Sequence, residues 1–134
     1  MLIHRSSHRA LVDGIMVVVE RVITRFRLKR EEGARALMPT YISFLNFTDQ
    51  GVRTANESVQ RRDRADALAE KHGASIEQVY WTVGPYDLVT IIEAPDEESA
   101  TSMLLELGSA GNLRTTTLRA YGREEMSRII QRLG

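Results

Sequence analysis

Val79-Tyr80-Trp81-Thr82-Val83-Gly84-Pro85-Tyr86-Asp87-Leu88-Val89-Thr90-Ile91-Ile92-Glu93-Ala94-Pro95-Asp96 is the stretch that decides the fold. Two strand-like runs, 75–83 and 87–94, meet at Gly84-Pro85-Tyr86-Asp87, which predicts a tight hairpin. Pro85 presets φ for the second turn position, and Gly84 relieves crowding before it. Asp96 then offers an N-cap, with Glu97 and Glu98 at the positive end of the helix dipole. Ala100, Met103, Leu104 and Leu107 follow at helical spacing, so one face is core, and Gly108 follows the last turn.

Working outward, Tyr41-Ile42-Ser43-Phe44-Leu45-Asn46-Phe47 carries aromatic and branched residues on both alternating faces and reads as a strand buried on both sides. Thr48 caps the helix after it. Val52, Ala55 and Val59 form a first apolar stripe, and Ala65, Leu68, Ala69 and His72 a second. Gln60-Arg61-Arg62-Asp63-Arg64 between them is a solvated face or a break, with a kink expected near 56–61. Gly73 ends the helix in the left-handed position. Residues 113–121 give a fourth, threonine-rich strand. Met126, Ile129, Ile130 and Leu133 mark a short terminal helix.

Strand, helix, strand, strand, helix, strand, helix is the split βαβ order. It predicts an α+β, ferredoxin-like βαββαβ fold with a C-terminal helix and a four-stranded antiparallel sheet covered by helices on one face. Leu88-Val89-Thr90-Ile91-Ile92 is apolar on both faces, so the uncovered face is expected to associate. The simplest cover is a second copy, sheet against sheet about a two-fold axis, giving a homodimer.

Of the 134 residues, 43% are hydrophobic, enough for one packed domain, and 18 basic side chains balance 18 acidic ones. No bulk field attracts nucleic acid or an anionic membrane. The balance is uneven: residues 1–37 hold eight basic and four acidic side chains, net +4, against −4 for the rest. The absence of cysteine removes disulfides, thiolate nucleophiles and thiolate metal sites, and suits a cytoplasmic location. No apolar run reaches the roughly 18–20 residues of a membrane span.

Residues 1–37 stand apart from the domain expected over 38–134. Leu11, Ile15, Val18, Val22 and Phe26 have roughly helical spacing, although the β-branched content suits a strand equally. Arg21, Arg25, Arg27, Lys29 and Arg30 add a basic run. The segment reads as an over-extended start, as an amphipathic surface or partner helix, or, as a third alternative, as a segment with a membrane or nucleic-acid role. If the start is over-extended, Met38 opens the natural chain, and Lys29-Arg30-Glu31-Glu32-Gly33 reflects purine-rich codons resembling a ribosome-binding site.

Three motifs in order carry a family resemblance: Gly84-Pro85-Tyr86-Asp87, then Glu93-Ala94-Pro95-Asp96, then the run from Gly108-Ser109-Ala110-Gly111-Asn112 to Leu118-Arg119-Ala120-Tyr121. From about Met38 to Leu133 the chain resembles the GYD-domain family of small bacterial and archaeal proteins. The resemblance implies a ferredoxin-like fold similar to dimeric α/β-barrel proteins. It implies no established activity.

With strand order 4-1-3-2, the start of the third strand is expected beside the start of the first, and the end of the fourth at the same edge. Tyr41, Tyr86, Asp87, Arg119 and Tyr121 would then gather as a ligand-binding cluster. Asp87 and Arg119 would be placed there to hold a polar ligand or steer a proton. The plainer alternative has Asp87 capping its own hairpin, with Tyr86 as a packing lid. Glu93, expected at the other end with Arg114, is a third candidate for proton transfer, or simply an ion-pair partner. Thr115–Thr117 read foremost as strand formers, and His72 as a satisfied core-edge residue rather than a metal ligand. Tyr80 and Trp81 face opposite sides, one toward core and the other toward a dimer contact or pocket wall. His4 and His8 carry no metal signal. No phosphate loop, Ser/His/Asp order or basic–aromatic nucleic-acid surface is present; no cofactor and no metal are expected.

The sequence therefore points to a cytoplasmic homodimeric domain that binds a small molecule. The alternatives are a cofactor-free enzyme acting on a small apolar substrate, or a structural interaction protein. A cavity between sheet and helices with Asp87, Glu93 or Arg119 on its wall would favour ligand or catalysis; a filled core would favour the interaction protein.

Overall fold

Alternation along the first strand sets the layers. In the computed structural model β1 (Thr40–Phe47) buries Tyr41, Ser43 and Leu45 and leaves Ile42 and Phe44 half-buried. The structure describes residues 4–35 and 38–134, with side chains for 12–28, 33 and 38–134. β1 is followed by α2 (Asp49–Arg53), a 3-10 turn (Ala55–Glu57), α3 (Ser58–Lys71), β2 (Ser75–Trp81) and β3 (Leu88–Glu93). Then come α4 (Glu97–Ser109), β4 (Leu113–Ala120), α5 (Arg123–Ile130) and a closing 3-10 turn (Gln131–Leu133). The sheet order is β2-β3-β1-β4, with every neighbouring pair antiparallel. This is the expected ferredoxin-like α+β arrangement.

The chain divides into two units, 1–37 and 38–134. The first holds α1 (His4–Arg35), a helix where a strand was an equal expectation. Its side chains Val12, Ile15, Val18, Val22 and Phe26 are exposed. Among the described residues no helix is long and apolar enough to cross a membrane. Residues 1–3, 36 and 37, and the side chains of His4, His8, Leu11, Lys29 and Arg30, lie outside the described residues.

In the second unit the buried side of the sheet meets α3 and α4. Tyr41 and Ile92 pack with Ala69 of α3, Ala100 and Met103 of α4, and the loop residues Ala74 and Ala94. The alanines let backbone approach backbone, so a thin layer of helices closes over the sheet. Ser43 and Thr117 bridge β1 and β4 through their hydroxyls at 2.7 Å, each satisfying the other inside the core.

Both expected caps are present: Thr48 Oγ1 accepts from Gly51 N, and Asp96 Oδ1 accepts from Ser99 N at 2.7 Å. The hydrogen bond donated by the Ser99 backbone N–H holds the Asp96 carboxyl below the usual aspartate range. The long second helix breaks at Thr54, and Gly73 follows α3 at φ +70°. Because of that break Val52 and Val59 are exposed, so the expected first stripe is not core; Gly51 is the buried residue of α2. Gly108 lies inside the last turn of α4, and Gly111 takes the left-handed conformation instead.

The hairpin is wider than the expected turn. Thr82 N donates to Asp87 O at 2.8 Å, and Thr82 Oγ1 donates to Tyr86 O at 2.7 Å, leaving Val83 exposed outside β2. Gly84 has φ +144°, and a Cβ there would meet nothing within 4 Å. Backbone conformation, not crowding, requires glycine at this position. On edge strand β2 the register shifts between Ile76 and Gln78, making Glu77 a bulge.

Ile42, Phe44, Val89 and Ile91 sit half-buried on the side of the sheet away from α3 and α4, with Leu118 and Tyr80 more exposed. The apolar side of α5, Met126 and Ile130, is exposed as well.

Candidate functional site

Strand direction separates residues that the sequence reading had put together. β3 and β4 both run antiparallel to β1, so each ends where β1 begins: Tyr41 pairs with Ile92 and Arg119, and Thr40 with Glu93 and Ala120. Asp87, at the start of β3, lies beside the end of β1. The six residue steps from Tyr41 to Phe47 span about 20 Å of strand. The expected gathering of Tyr41, Tyr86, Asp87, Arg119 and Tyr121 is therefore corrected to two clusters at opposite ends. Glu93 belongs with Tyr41 and Arg119, while its expected partner Arg114 pairs in register with Asn46 at the far end.

At the Asp87 end the carboxylate joins two strands. Asp87 N donates to Leu45 O at 2.9 Å, and Phe47 N donates to Asp87 Oδ2 at 2.8 Å. The Asp87 side chain thus extends the β1–β3 ladder by one rung, while its backbone carbonyl closes the hairpin by accepting from Thr82 N. The Tyr86 ring lies 4.8 Å from that of Phe44, tilted by 37°, which agrees with the packing-lid alternative. Arg114 donates to Leu113 O and Gly108 O at 3.1 and 3.4 Å.

At the other end Arg119 holds three acceptors. Its guanidinium donates to Thr40 O, Ala120 O and Glu125 Oε1. Its central carbon stands 4.5 Å from the Tyr121 ring centre and 5.7 Å from that of Tyr41. The Tyr41 hydroxyl is buried without a hydrogen-bond partner. Burial, with Glu97 nearby, pushes its pKa up against the opposing pull of Arg119.

Neither cluster borders the cavity. A pocket of about 190 Å³ lies between the α3–α4 layer and the sheet, walled by Leu45, Leu68, Ile76, Val79, Leu88, Ile92, Met103, Leu107 and Leu113. Its polar lining is Ser58, Arg61, Arg62, Arg64, Thr90, Glu106 and Asn112, with Trp81 at the side. Asp87, Glu93 and Arg119 are not in its wall.

Most of these polar groups are already matched. Arg62 Nε donates to both Asp66 oxygens at 2.8 and 2.9 Å, and its Nη2 donates to Ile76 O at 2.9 Å, tying α3 to the bulged edge strand. Trp81 Nε1 donates to Ser58 Oγ at 3.1 Å, while Tyr80 sits on the opposite sheet face. Glu106 meets Lys71 Nζ at 2.7 Å and His72 Nε2 at 2.6 Å; His72 Nδ1 lies 2.9 Å from Ser102 Oγ. Two atoms are not matched. Thr90 Oγ1 and Arg61 Nη1 are buried with no partner, though Arg61 Nη2 reaches Thr54 Oγ1 and lies 3.5 Å from Glu57.

Sequence composition marks neither: Thr90 stands within an otherwise apolar run, and Arg61 within a charged stretch that reads as a solvated face. A signal was present: Arg61, Ala65, Leu68 and His72 are four, three and four residues apart, so Arg61 continues the apolar stripe of α3.

The bonds from Lys71 and then His72 hold the Glu106 carboxyl below its ordinary value of 4.5. Its contribution to stability is therefore fully present above that value and is lost as pH falls through the lower folded one. Thermal melts of wild type and Glu106→Gln should differ at neutral pH and converge on acidification. A gap that widens toward low pH would contradict this.

The GYD domain family model matches residues 41–130. The glutamine synthetase and cystathionine beta-lyase binding protein of Thermus thermophilus is 33% identical over 84 residues, covering 62% of this chain and 88% of that protein. Among solved structures, MtbAldR is similar with a TM-score of 0.52 at 16% identity, covering 64% of this chain and 55% of the other. The chain thus spans about half the length of MtbAldR, and this likeness concerns the fold alone. The Mycobacterium tuberculosis leucine response regulatory protein is 15% identical with a TM-score of 0.45, covering 83% of this chain and 73% of the other. With its Gly84-Pro85-Tyr86-Asp87 turn inside the matched region, this chain belongs to the GYD domain family.

Proposed function

We propose that this protein is a cytoplasmic homodimeric domain that binds a small molecule in the pocket between α3, α4 and the sheet. One observation carries the reading: Thr90 Oγ1 and Arg61 Nη1 are buried without partners in residues that line an otherwise largely apolar pocket. Buried polar atoms are ordinarily hydrogen-bonded, and apolar pockets with a few converging polar groups are the usual form of small-molecule sites. Extraction of the purified protein followed by mass spectrometry should recover a small organic molecule at near-stoichiometric amount. Protein free of any such molecule, and unresponsive to a broad metabolite screen by thermal shift, would overturn the reading.

The homodimer rests on the sheet face bearing Ile42, Phe44, Val89, Ile91 and Leu118. A second copy covers it back to back, removing apolar surface from water on both chains. Light scattering should give twice the chain mass at micromolar concentration; a monomer there would overturn this part.

A second reading is an adaptor that docks on metabolic enzymes. It is favoured by the exposed apolar side of α5 and by the relative named for binding glutamine synthetase and cystathionine beta-lyase. Sedimentation of this chain mixed with each enzyme from its own source tests it: co-sedimentation supports docking, and independent boundaries dismiss it. The enzyme reading has less support, because its three proposed proton carriers, Asp87, Glu93 and Arg119, are outside the pocket wall.

A further inference from the structure

We infer that the pocket takes a small monocarboxylate with an apolar body, its carboxylate held at Arg61 and Thr90. The inference rests on the pocket being a binding site and adds the chemistry of its occupant.

Charge comes first. Three arginines and one glutamate contribute to the lining. Arg62 is neutralised by Asp66, and Glu106 has one oxygen on Lys71 and the other on His72. Arg61 has Glu57 near Nη2, at 3.5 Å, but that carboxylate is 53% exposed, and Nη1 has no acceptor. Arg64 adds a further positive charge. A buried guanidinium nitrogen without an acceptor favours an anion, because a charge-assisted bond to carboxylate is about twice as strong as a neutral one. A cation placed there would meet a guanidinium donor instead of an acceptor.

Donor count and size then narrow the class. Arg61 Nη1 and the Thr90 hydroxyl are two donors, matching the two oxygens of one carboxylate. The remaining wall is mostly aliphatic, including Leu68, Ile76 and Met103. A pocket near 190 Å³ compares with about 150 Å³ for a cavity that holds benzene, so the occupant has about seven to ten non-hydrogen atoms. A free amino acid fits less well: its ammonium would have to share Glu106, whose oxygens already accept from Lys71 and His72. A five- to eight-carbon aliphatic acid, or a simple aromatic acid, meets every condition.

Titration calorimetry on the full chain, with hexanoate, 1-hexanol and hexylamine as matched probes, tests the inference, with amide and methyl NMR shifts locating the bound probe. Hexanoate should bind at least about tenfold tighter than 1-hexanol, and hexylamine should show no heat. Arg61→Gln should bring hexanoate down to the level of 1-hexanol while leaving 1-hexanol unchanged. Thr90→Val provides a second, nearly isosteric variant and should cost hexanoate about fivefold, the loss of one hydrogen bond. Equal binding of 1-hexanol and hexanoate, preference for hexylamine, or hexanoate affinity unaffected by both substitutions would overturn the carboxylate assignment while leaving the pocket as a binding site. Failure of all three probes to shift Thr90, Leu68 or Met103 would remove the binding-site reading itself.

Discussion

Gly51→Ala should lower the thermal midpoint by about 10–20 °C. A Cβ at this position would stand 2.0 Å from Asn112 O, 2.9 Å from its carbonyl carbon and 3.2 Å from its Cα. Those are backbone atoms, and they are held in place. Asn112 O accepts from Thr48 N at 3.0 Å, while Thr48 Oγ1 donates to Gly111 O at 2.5 Å and caps α2 through Gly51 N. Relieving the clash must therefore pull α2 from the start of β4 and break the cap with it. Overpacking of this kind costs about 1–3 kcal/mol, and the linked hydrogen bonds place this site at the upper end. In a domain of this size each kcal/mol moves the midpoint by about 4–8 °C. Gly108→Ala is the control: its nearest neighbour, Leu113 O, is 3.9 Å away, and a helical alanine should hold or slightly raise the midpoint. A Gly51→Ala melt within two or three degrees of wild type would contradict the close approach.

Asp87→Ala should destabilise the domain by about 1–3 kcal/mol, whereas Asp87→Asn should recover most of that loss. Alanine leaves Phe47 N without its acceptor, and the cost of an unmade buried bond is larger than the net gain from making it. Asparagine keeps an oxygen within reach of Phe47 N, giving up charge assistance but not the bond. The pair of variants separates two roles. A strand-joining carboxylate tolerates asparagine, whereas a proton carrier does not, because an amide neither takes nor gives a proton at neutral pH. Chemical denaturation checks the stability order; an Asp87→Asn midpoint as low as that of Asp87→Ala would sink the strand-joining role.

Fold legibility followed the range of the physics involved. Thr48 and Asp96 were readable as caps because capping is settled within three residues, and the strand order followed from the succession of elements. Strand polarity requires tracking direction through two crossovers, and the sequence reading aligned the start of β3 with the start of β1. That single reversal joined Asp87 to Arg119, which belong to opposite ends. Val52 and Val59 failed for a different reason. The helix breaks at Thr54, and a break turns a stripe away from the face that periodicity assigns to it. The pocket wall was hardest to read, because β-propensity treats Thr90 as a strand former whether or not its hydroxyl finds a partner. Whether Arg61 faces solvent or the sheet depends on where α3 docks, which composition does not encode.

The Gly84–Asp87 turn and the pocket occupy different parts of the chain. The turn and its carboxylate splice β1 to β3, while the wall is drawn from α3, β2, α4 and the inward positions of the central strands. A lineage can therefore keep the turn that holds the sheet together and still exchange Arg61, Leu68 or Ile76 without touching it. Two proteins that share the turn share a scaffold, and their pocket walls are free to diverge. The letters that make the family recognisable are thus poor guides to the pocket, whose wall can change independently of them.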